Sequence, residues 1–246
     1  MIETRQVKKN FGPQEVLRGV DLQIATGEAV VIIGQSGGGK SILLKTLIGL
    51  LQPDAGEVLI DGENISDMNE RELLRVLHKF GMLFQGAALF DSLNVFENVA
   101  FALRRQRRLT EKELRQKVTK ALDVVGLAGT EEKMPAELSG GMKKRAGLAR
   151  AIVYEPQFVL YDEPTTGLDP IRADSIDKLI QRVNEHLNVT SVVVTHDMRS
   201  ASRVGKRILM LHEGRIYFTG TPREAFESPD PVVSQFVKGL ADPQEP

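Results

Sequence analysis

Cysteine and tryptophan are absent from this 246-residue sequence, and its charges nearly cancel, with 32 Lys and Arg against 33 Asp and Glu. Without cysteine there can be no disulfide, no Cys-ligated zinc and no thiol nucleophile. The near-zero net charge argues against a nucleic acid as the main partner, because binding a phosphate backbone needs a clear basic excess. No apolar run approaches a membrane span of about 18 residues, and the N-terminal segment MIETRQVKKN lacks the apolar stretch of a signal peptide. We therefore expect a chain that neither spans a bilayer nor is exported.

What is present is a globular composition, with 41% hydrophobic and 26% charged residues, and a length that suits one large domain. Continuous apolar runs predict parallel strands that are buried on both faces. These runs are residues 29–33, 79–84, 158–161, 191–194 and 208–211. Segments with helical spacing separate them, so we predict an α/β core with a mostly parallel sheet flanked by helices.

Two further regions are predicted to be antiparallel. Near the N-terminus, the runs 2–8, 16–24 and 57–60 are short and alternate more between apolar and polar residues. Near the C-terminus, the runs 208–211 and 216–218 flank a predicted hairpin loop of about four residues, 212–215.

Residues 90–147 are mostly helical in pattern. Thr110 followed by Glu113 is a capping-box signature that opens a predicted helix at 114–125, and Gly126 ends it. We therefore predict a helical insertion within the α/β core. The polar, proline-containing segment 239–246 is expected to be frayed.

A glycine-rich segment, Gly34-Gln35-Ser36-Gly37-Gly38-Gly39-Lys40-Ser41, follows the first buried run and precedes a helix-like stretch, 42–51. This is GxxxxGK[ST] in the strand-to-helix context that the pattern requires. Glycines let successive backbone N–H groups point inward, and the helix N-terminus adds its positive end, so the loop is predicted to hold a polyphosphate. Lys40 is expected to reach the β- and γ-phosphates, and the Ser41 hydroxyl to ligate Mg²⁺. The alternative, an empty glycine-rich turn, is disfavoured by the flanking strand and helix.

A carboxylate pair, Asp162 and Glu163, ends the run 158–161. Because successive strand residues point to opposite sides, the two are expected to differ in role. Asp162 suits Mg²⁺ coordination, and Glu163 suits polarising an attacking water. Alone, such a pair is commonly a helix cap or a turn. The presence of the phosphate-binding loop in the same chain favours the functional interpretation.

Two more predicted strands end in polar side chains. His196 follows the run 191–194 and can contact a γ-phosphate and the water beside it, although a lone histidine there is more often structural. Gln85 follows the run 79–84, and its amide can orient water or a metal ion. Lys40, Gln85, Glu163 and His196 thus share the carboxyl ends of predicted parallel strands, where open α/β sheets place their ligands. The other histidines, His78, His186 and His212, are assigned structural roles.

The segment Leu138-Ser139-Gly140-Gly141-Met142 resembles the LSGGQ signature of ATP-binding cassette (ABC) proteins, which phosphate-loop proteins in general do not carry. The phosphate-binding loop, Gln85, this signature, the acidic strand, Gly167-Leu168-Asp169 and His196 occur in the family's order. The resemblance extends from about residue 2 to 225. It excludes a phosphate-loop kinase.

The resemblance implies a P-loop NTPase fold of the ABC ATPase type, with an antiparallel β-subdomain and a helical subdomain inserted before the signature. One ABC ATPase domain is expected at 1–240. Its RecA-like and antiparallel β core is placed at about 1–88 and 155–225, and its helical subdomain at about 89–154. A C-terminal extension, 226–246, follows.

The resemblance also implies ATP and Mg²⁺ as ligands and ATP hydrolysis as the reaction. The catalytic residues it implies are Lys40, Gln85, Glu163 and His196. The Mg²⁺ ligands it implies are Ser41, Gln85 and Asp162. Phe11 is implied to stack on adenine, and further ATP contacts are implied for Gly34, Gln35, Ser36, Gly37, Gly38, Gly39, Lys40, Ser41 and Ile42.

The signature has a physical rationale. Ser139 is a good helix N-cap, and Gly140 and Gly141 leave N–H groups unobstructed at the positive end of the helix. In ABC proteins this surface closes on the ATP of the other subunit, so the resemblance implies a homodimer with contacts from Ser139, Gly140, Gly141 and Met142. Residues Gly167, Leu168 and Asp169 are implied to form the loop between the two sites. Met142 stands where the family most often has Gln, so a contact made by the Gln side chain is not carried over to this chain, whereas the contacts of Ser139, Gly140 and Gly141 are.

The extended signature 138–145, LSGGMKKR, is similar to that of ATPases driving Mce-type lipid transporters, particularly the Mla (maintenance of lipid asymmetry) phospholipid system. Segments 84–93 and 161–170 point the same way, and the first lies where ABC ATPases receive the coupling helix of their permease. The resemblance implies phospholipid transport between the membranes of a Gram-negative-type envelope. It implies a separate permease, an Mce-domain protein and a STAS-domain protein as partners, and a peripheral position at the cytoplasmic face of the inner membrane.

Alternative functions stay open beside this one. An importer ATPase for amino acids or another small solute would share the core, and the segment 142–145 argues against it. A soluble ABC ATPase not coupled to transport typically carries a long coiled-coil insertion or two cassettes, and this chain has room for neither. A catalytically inactive module is disfavoured because every catalytic position is filled.

Two weaker features each have an ordinary and a functional interpretation. A basic cluster is predicted to be a solvated face, with contact to anionic lipid or an acidic permease loop as the alternative. Its members are Arg104, Arg105, Arg107 and Arg108. An apolar stripe at helical spacing is predicted to pack on its own domain, with docking on the neighbouring subunit as the alternative. Its members are Val232, Val233, Phe236, Val237 and Leu240.

Overall fold

The computed structural model describes residues 1–105 and 109–240, apart from the side chain of Arg105. In chain order the strands are β1 (Ile2–Phe11), β2 (Gln14–Ile24), β3 (Ala29–Ile33), β4 (Ala55–Ile60), β5 (Glu63–Asn64), β6 (Phe80–Leu83), β7 (Phe158–Asp162), β8 (Thr190–Val194), β9 (Arg207–His212) and β10 (Arg215–Gly220). The helices are α1 (Lys40–Leu47), α2 (Glu70–Leu77), α3 (Val95–Arg105), α4 (Glu111–Val124), α5 (Gly140–Ile152), α6 (Pro170–Leu187), α7 (Met198–Val204), α8 (Pro222–Phe226) and α9 (Pro231–Lys238), with a 3₁₀ turn at Pro135–Glu137. The α/β class predicted from the sequence is confirmed.

The chain divides into two compact units. The first contains residues 1–77 and the described residues from 190 onward, and the second contains residues 78–189. The second unit extends beyond the predicted helical subdomain, 89–154, because it also includes β6, β7 and α6. The predicted subdomain limits stay a prediction.

Strand β3 is the centre of the first unit, and all five of its residues are buried. It pairs in parallel with β8 on one edge and with β9 on the other. A strand that is bonded on both edges and covered on both faces must be apolar throughout, which explains the sequence AVVII. A separate antiparallel sheet, in the order β2-β1-β4-β5, confirms the prediction for the N-terminal region.

The hairpin between β9 and β10 is tighter than predicted. His212 and Arg215 pair with each other, so the loop consists of Glu213 and Gly214, and the predicted longer loop at 212–215 is wrong. Both loop residues have positive φ angles, 46° and 75°. This is the conformation of a type I′ turn, whose twist matches that of the two strands. Glutamate does not favour a positive φ, so the sequence alone did not indicate this turn.

In the second unit, β6 and β7 pair in parallel, and the rings of Phe80 and Phe158 stack between them at 4.7 Å. Helices α3, α4 and α5 confirm the helical pattern of residues 90–147. The capping box of Thr110 and Glu113 is present as predicted. Helix α4 nevertheless begins at Glu111 rather than at residue 114, because an N-cap residue directly precedes the first helical residue.

Helix α1 occupies Lys40–Leu47, so the predicted stretch 42–51 begins too late and ends too late. Its end is set by two closing bonds, in which Gly49 N donates to Thr46 O and Leu50 N donates to Lys45 O. Its start at Lys40 places the last residues of the phosphate-binding pattern inside the helix.

The structure describes only part of the basic cluster that was noted in the sequence. Arg104 forms ion pairs with Glu97 and Glu111 at 2.9 Å and 2.6 Å, and hydrogen bonds to these carboxylates raise its pKa. The side chain of Arg105, and Arg107 and Arg108, lie outside the described residues, as do residues 241–246.

The apolar stripe near the C-terminus divides in two. Val233 and Val237 are buried, which confirms packing on the chain itself at these positions, whereas Leu240 is 60% exposed. No helix within residues 1–105 and 109–240 combines the length and the apolar character that crossing a membrane requires.

Two tyrosines of the second unit give a matched test of its packing. Tyr161 is fully buried, burial raises its pKa, and within the described residues its hydroxyl has no hydrogen-bond partner. The Tyr154 hydroxyl instead donates to the Phe80 carbonyl. We expect Tyr161→Phe to raise the free energy of unfolding by about 1 kcal/mol, because it removes a buried unpaired hydroxyl. Tyr154→Phe should lower it by about 1 kcal/mol, because it removes a bond.

Urea denaturation of the three proteins measures both effects. A loss of stability in Tyr161→Phe equal to that in Tyr154→Phe would contradict the expectation.

Candidate functional site

The loop between β3 and α1 contains the predicted phosphate-binding residues 34–41. Gly39 is the N-cap of α1 and has a φ of 92°, a conformation that L side chains rarely adopt. A Cβ at this position would lie 2.8 Å from Val16 Cγ1, so the loop also approaches β2 too closely for a side chain. Glycine is therefore required here by conformation and by space. The loop leads directly into the N-terminus of α1, and the N-terminus of a helix is its positive end, which favours anions.

Lys40 is buried at the first position of α1. Its Nζ donates hydrogen bonds to the carbonyl oxygens of Gly34 at 2.8 Å and Gln35 at 2.9 Å. These bonds hold the ammonium group beside the loop. The following residue, Ser41, is half-buried in the first turn of α1.

His196 lies two residues beyond the end of β8 and is exposed. It lines a cavity of about 610 Å³ together with Gln35 and Ser36, the second and third residues of the phosphate-binding pattern. The apolar part of the cavity wall consists of Met210, Val232, Phe236 and Leu240. The fold therefore brings His196 together with the start of the phosphate-binding loop, as predicted.

Phe11 ends β1 and is 47% exposed, with the ammonium group of Lys9 at 5.8 Å from its ring centroid. An exposed aromatic face suits stacking on a base, and its contact with adenine stays a prediction.

In the second unit, Asp162 and Glu163 are 5% and 8% exposed. Asp162 is the last residue of β7, but Glu163 has a φ of 48° and lies beyond the strand. Strand alternation therefore does not place the two carboxylates on opposite sides, as had been predicted, because it holds only for extended residues. The Glu163 carboxylate accepts a hydrogen bond from the Thr166 hydroxyl at 3.1 Å, which fixes its position.

Gln85 and Glu163 are brought together by a residue that the sequence analysis missed. The Nζ of Lys144, on α5, donates to the backbone carbonyl of Gln85 and, at 3.2 Å, to that of Glu163. A lysine in a helix is usually a surface residue. The available signal was its spacing of four and seven residues from Leu148 and Ala151, which are both buried.

The signature lies at the N-terminus of α5, where Ser139 and Gly140 are exposed, Gly141 and Met142 are half-buried and Leu138 is buried. Ser139 is the N-cap, as predicted, and its hydroxyl accepts a hydrogen bond from Met142 N at 3.3 Å. A Cβ on Gly140 would lie 3.6 Å from Leu168 Cδ2, so the signature adjoins the segment Gly167-Leu168-Asp169. Asp169 caps α6, and its bonds from the backbone N–H groups of Arg172 and Ile171 lower its pKa.

The geometry thus gives two groups of predicted residues. Lys40, Ser41 and His196 lie in the first unit with the phosphate-binding loop. Gln85, Asp162, Glu163 and the signature lie in the second. Within residues 1–105 and 109–240, no cluster of three or more His, Asp and Glu side chains is arranged to hold a metal ion by itself.

A family model described as ABC transporter matches residues 17–166. The chain belongs to the ABC transporter family. Membership confirms the resemblance seen in the sequence, and it makes the chain an ATP-hydrolysing enzyme.

Relatives of this ABC ATPase match it over nearly its whole length. The probable ribonucleotide transport ATP-binding protein mkl of Mycobacterium leprae is 44% identical over 97% of the chain, which covers 69% of that protein. The intermembrane phospholipid transport system ATP-binding protein MlaF of Haemophilus influenzae is 41% identical over 98% of the chain, which covers 92% of that protein.

Solved structures agree with the fold. A dimeric ATP-binding cassette in a post-hydrolysis state, bound to ADP and phosphate, superposes with a TM-score of 0.83 at 34% identity. The match covers 91% of this ABC ATPase and 99% of that chain.

Replacing Gly39 tests the construction of the loop. We expect Gly39→Ala to lower the free energy of unfolding by about 2 to 4 kcal/mol, from left-handed strain and from the contact with Val16 together. Gly129→Ala is the matched control, because Gly129 also has a positive φ, 76°, but a Cβ there meets nothing within 4 Å. The control should lose only about 1 to 2 kcal/mol.

Thermal or urea unfolding of the two variants measures the difference. Equal losses would show that the approach to Val16 does not constrain the loop.

Proposed function

We propose that this chain is the ATP-binding and ATP-hydrolysing subunit of a transporter that moves phospholipid through a separate permease, between the membranes of a Gram-negative-type envelope. The observation that carries the proposal is the end-to-end match with MlaF, over 98% of this chain and 92% of the relative. The mycobacterial relative is slightly more identical but is covered over only 69% of its length, and its name refers to ribonucleotide transport. Percentage sequence identity alone therefore does not indicate the substrate. The phospholipid assignment rests on coverage together with the signature that contains Met142.

For hydrolysis, Glu163 is proposed as the general base. Its carboxylate is buried, and Thr166 holds it by a hydrogen bond. Burial and a fixed orientation are what a base needs in order to take a proton from one particular water. His196 is proposed to position the γ-phosphate and the water, and Lys40 to stabilise charge on the phosphates. The adenine is proposed to stack on Phe11.

Mg²⁺ is proposed to bind through Ser41, Gln85 and Asp162. A hydroxyl, an amide and a carboxylate offer the hard oxygen atoms that Mg²⁺ prefers. The described residues contain no self-sufficient metal cluster, which suits an ion that arrives with the phosphates of ATP. When bound, it supplies charge neutralisation at the phosphate oxygens.

A second copy of the chain is proposed to complete each nucleotide site. Ser139 and Gly140 are exposed at the N-terminus of α5, and Gly141 and Met142 beside them are half-buried. Asp169, the last residue of the adjoining segment 167–169, caps α6. Such a surface attracts an anion presented by a partner. The solved cassette with ADP and phosphate is dimeric, which supports this arrangement.

The permease is proposed to be MlaE-like, with MlaD-like (Mce-domain) and MlaB-like (STAS-domain) proteins in the same complex and no nucleic acid partner. The complex is proposed to place this chain at the cytoplasmic face of a bacterial inner membrane. An ABC importer of amino acids or another small solute is the alternative substrate class, and a soluble ABC ATPase not coupled to transport is the alternative outside it.

The base assignment has a direct test. We expect Glu163→Gln to keep ATP binding but to lower turnover by roughly 10²- to 10⁴-fold, the usual scale for losing a general base. Glu185→Gln is the matched control, because Glu185 is an exposed carboxylate on α6. Phosphate release and the binding of a fluorescent ATP analogue give the two readouts. Near-normal turnover in Glu163→Gln would remove the assignment.

The phospholipid assignment is tested on the membrane complex. The tagged chain, purified from detergent-solubilised membranes, is expected to bring down a permease and an Mce-domain protein. After reconstitution into vesicles, ATP should drive transfer of a fluorescent phospholipid, and the Glu163→Gln complex should not. Recovery of an amino-acid-binding protein, or ATPase stimulation by amino acids or ribonucleotides and not by phospholipid, would overturn the assignment.

A further inference from the structure

Lys144 is a lysine buried inside the second unit, with only 6% of its surface exposed. It lies on α5, four residues after Gly140 of the signature. Its Nζ donates to the carbonyl of Gln85 and to the carbonyl of Glu163. One side chain thus joins three segments that are far apart in sequence: the signature helix, the loop after β6 and the turn after β7.

The environment of Lys144 explains why it holds these carbonyls. The pKa of Lys144 is lowered, because the effect of burial outweighs the opposite effect of the nearby Asp162 and Glu163 carboxylates. A buried ammonium group is costly unless its N–H groups are paired. The two carbonyls supply partners, so the same bonds that stabilise the charge also fix the carbonyls.

Glu163 needs such fixing because its backbone is in a left-handed conformation, with a φ of 48°. This conformation is strained for a glutamate, because it brings Cβ close to the following carbonyl oxygen. The carbonyl oxygen of Glu163 accepts from Thr166 N at 3.3 Å as well as from Lys144 Nζ. The Thr166 hydroxyl donates to the Glu163 carboxylate at 3.1 Å, so hydrogen bonds hold this residue at its backbone carbonyl and at its carboxylate.

A second cation on α5 holds the other side of the same loop. Arg150 donates to the carbonyls of Ala87 at 2.9 Å and Ala88 at 2.6 Å. Both alanines have positive φ angles, 60° and 49°. Helix α5 therefore holds the loop after β6 at two places, and Lys144 links the first of them to Glu163.

We propose that Lys144 is a positioning residue for ATP hydrolysis, which ties Glu163 and Gln85 to each other and makes both follow the signature helix. The proposal rests on the proposed roles of Glu163 and Gln85. A displacement of α5 reaches the two residues together, because one ammonium group bonds to both. Lys144 acts through Glu163 and does not itself touch the reacting atoms.

The first test compares Lys144→Met with Lys144→Arg in the full chain. We expect Met to lower turnover per bound nucleotide by about 10- to 100-fold, the scale of a small misplacement of a catalytic group, with little change in ATP affinity. Arginine can donate to two carbonyls, so Lys144→Arg should restore turnover to within about threefold of the original. Lys178→Met is the matched control, because Lys178 is an exposed lysine paired with Asp174 on α6.

A merely structural role would reduce the amount of folded, nucleotide-binding protein and leave turnover per bound nucleotide unchanged. That outcome, or normal turnover in Lys144→Met, overturns the proposal. If the Met variant does not fold, Lys144→Gln takes its place, since a shorter amide cannot reach both carbonyls, and the comparison with Lys144→Arg is the same.

The second test places Lys144→Met in the Glu163→Gln background. If Lys144 acts through Glu163, the second substitution should lower turnover by less than about twofold there. An equal loss in both backgrounds overturns the proposal. Near-normal turnover of Glu163→Gln alone instead removes the proposed base, and it is read independently of the comparison between Lys144→Met and Lys144→Arg.

Discussion

The parallel pairing of β3 with β8 and β9 is the constraint on which the chemistry of the first unit depends. Ile32 pairs with Val194, so the two strands end at the same level. Gly34 and His196 each lie two residues beyond that pair. The register therefore sets the phosphate-binding loop and the histidine side by side before any side-chain contact is made.

Side-chain caps at helix N-termini recur among the residues assigned to function. Ser139, Asp169 and Asp197 each cap a helix by accepting backbone N–H groups, and each lies in or beside a segment assigned to function. A capped N-terminus has a fixed direction and a positive end, so it can present charge or receive an anion without a dedicated side chain. Much of the proposed chemistry thus depends on backbone groups, whose positions the caps determine.

The sequence predicted those parts of the fold that depend on composition and spacing. The buried strands follow from apolar runs, the caps of α4 and α5 follow from Thr110 and Ser139, and the glycine-rich loop follows from its pattern.

Prediction from the sequence failed where tertiary contacts overrule the local conformational preference of a residue. Glu163 and Glu213 both adopt positive φ angles that glutamate does not favour, so neither the turn after β7 nor the tight hairpin could be read from residue types. Lys144 was missed for a related reason, since its partners are backbone carbonyls far away in sequence.

The bonds that Lys40 makes to Gly34 and Gln35 have a consequence for affinity. A phosphate that binds this ammonium group has to share it with the loop carbonyls or replace them, and it does not capture a charge from bulk water. The net gain is smaller than the strength of the new contact wherever an old bond is lost. If Lys40 binds phosphate as proposed, the loop carbonyls are available to take the ammonium back when product leaves. A binding group with a resting partner of its own suits a cyclic enzyme, in which release must be as ready as capture.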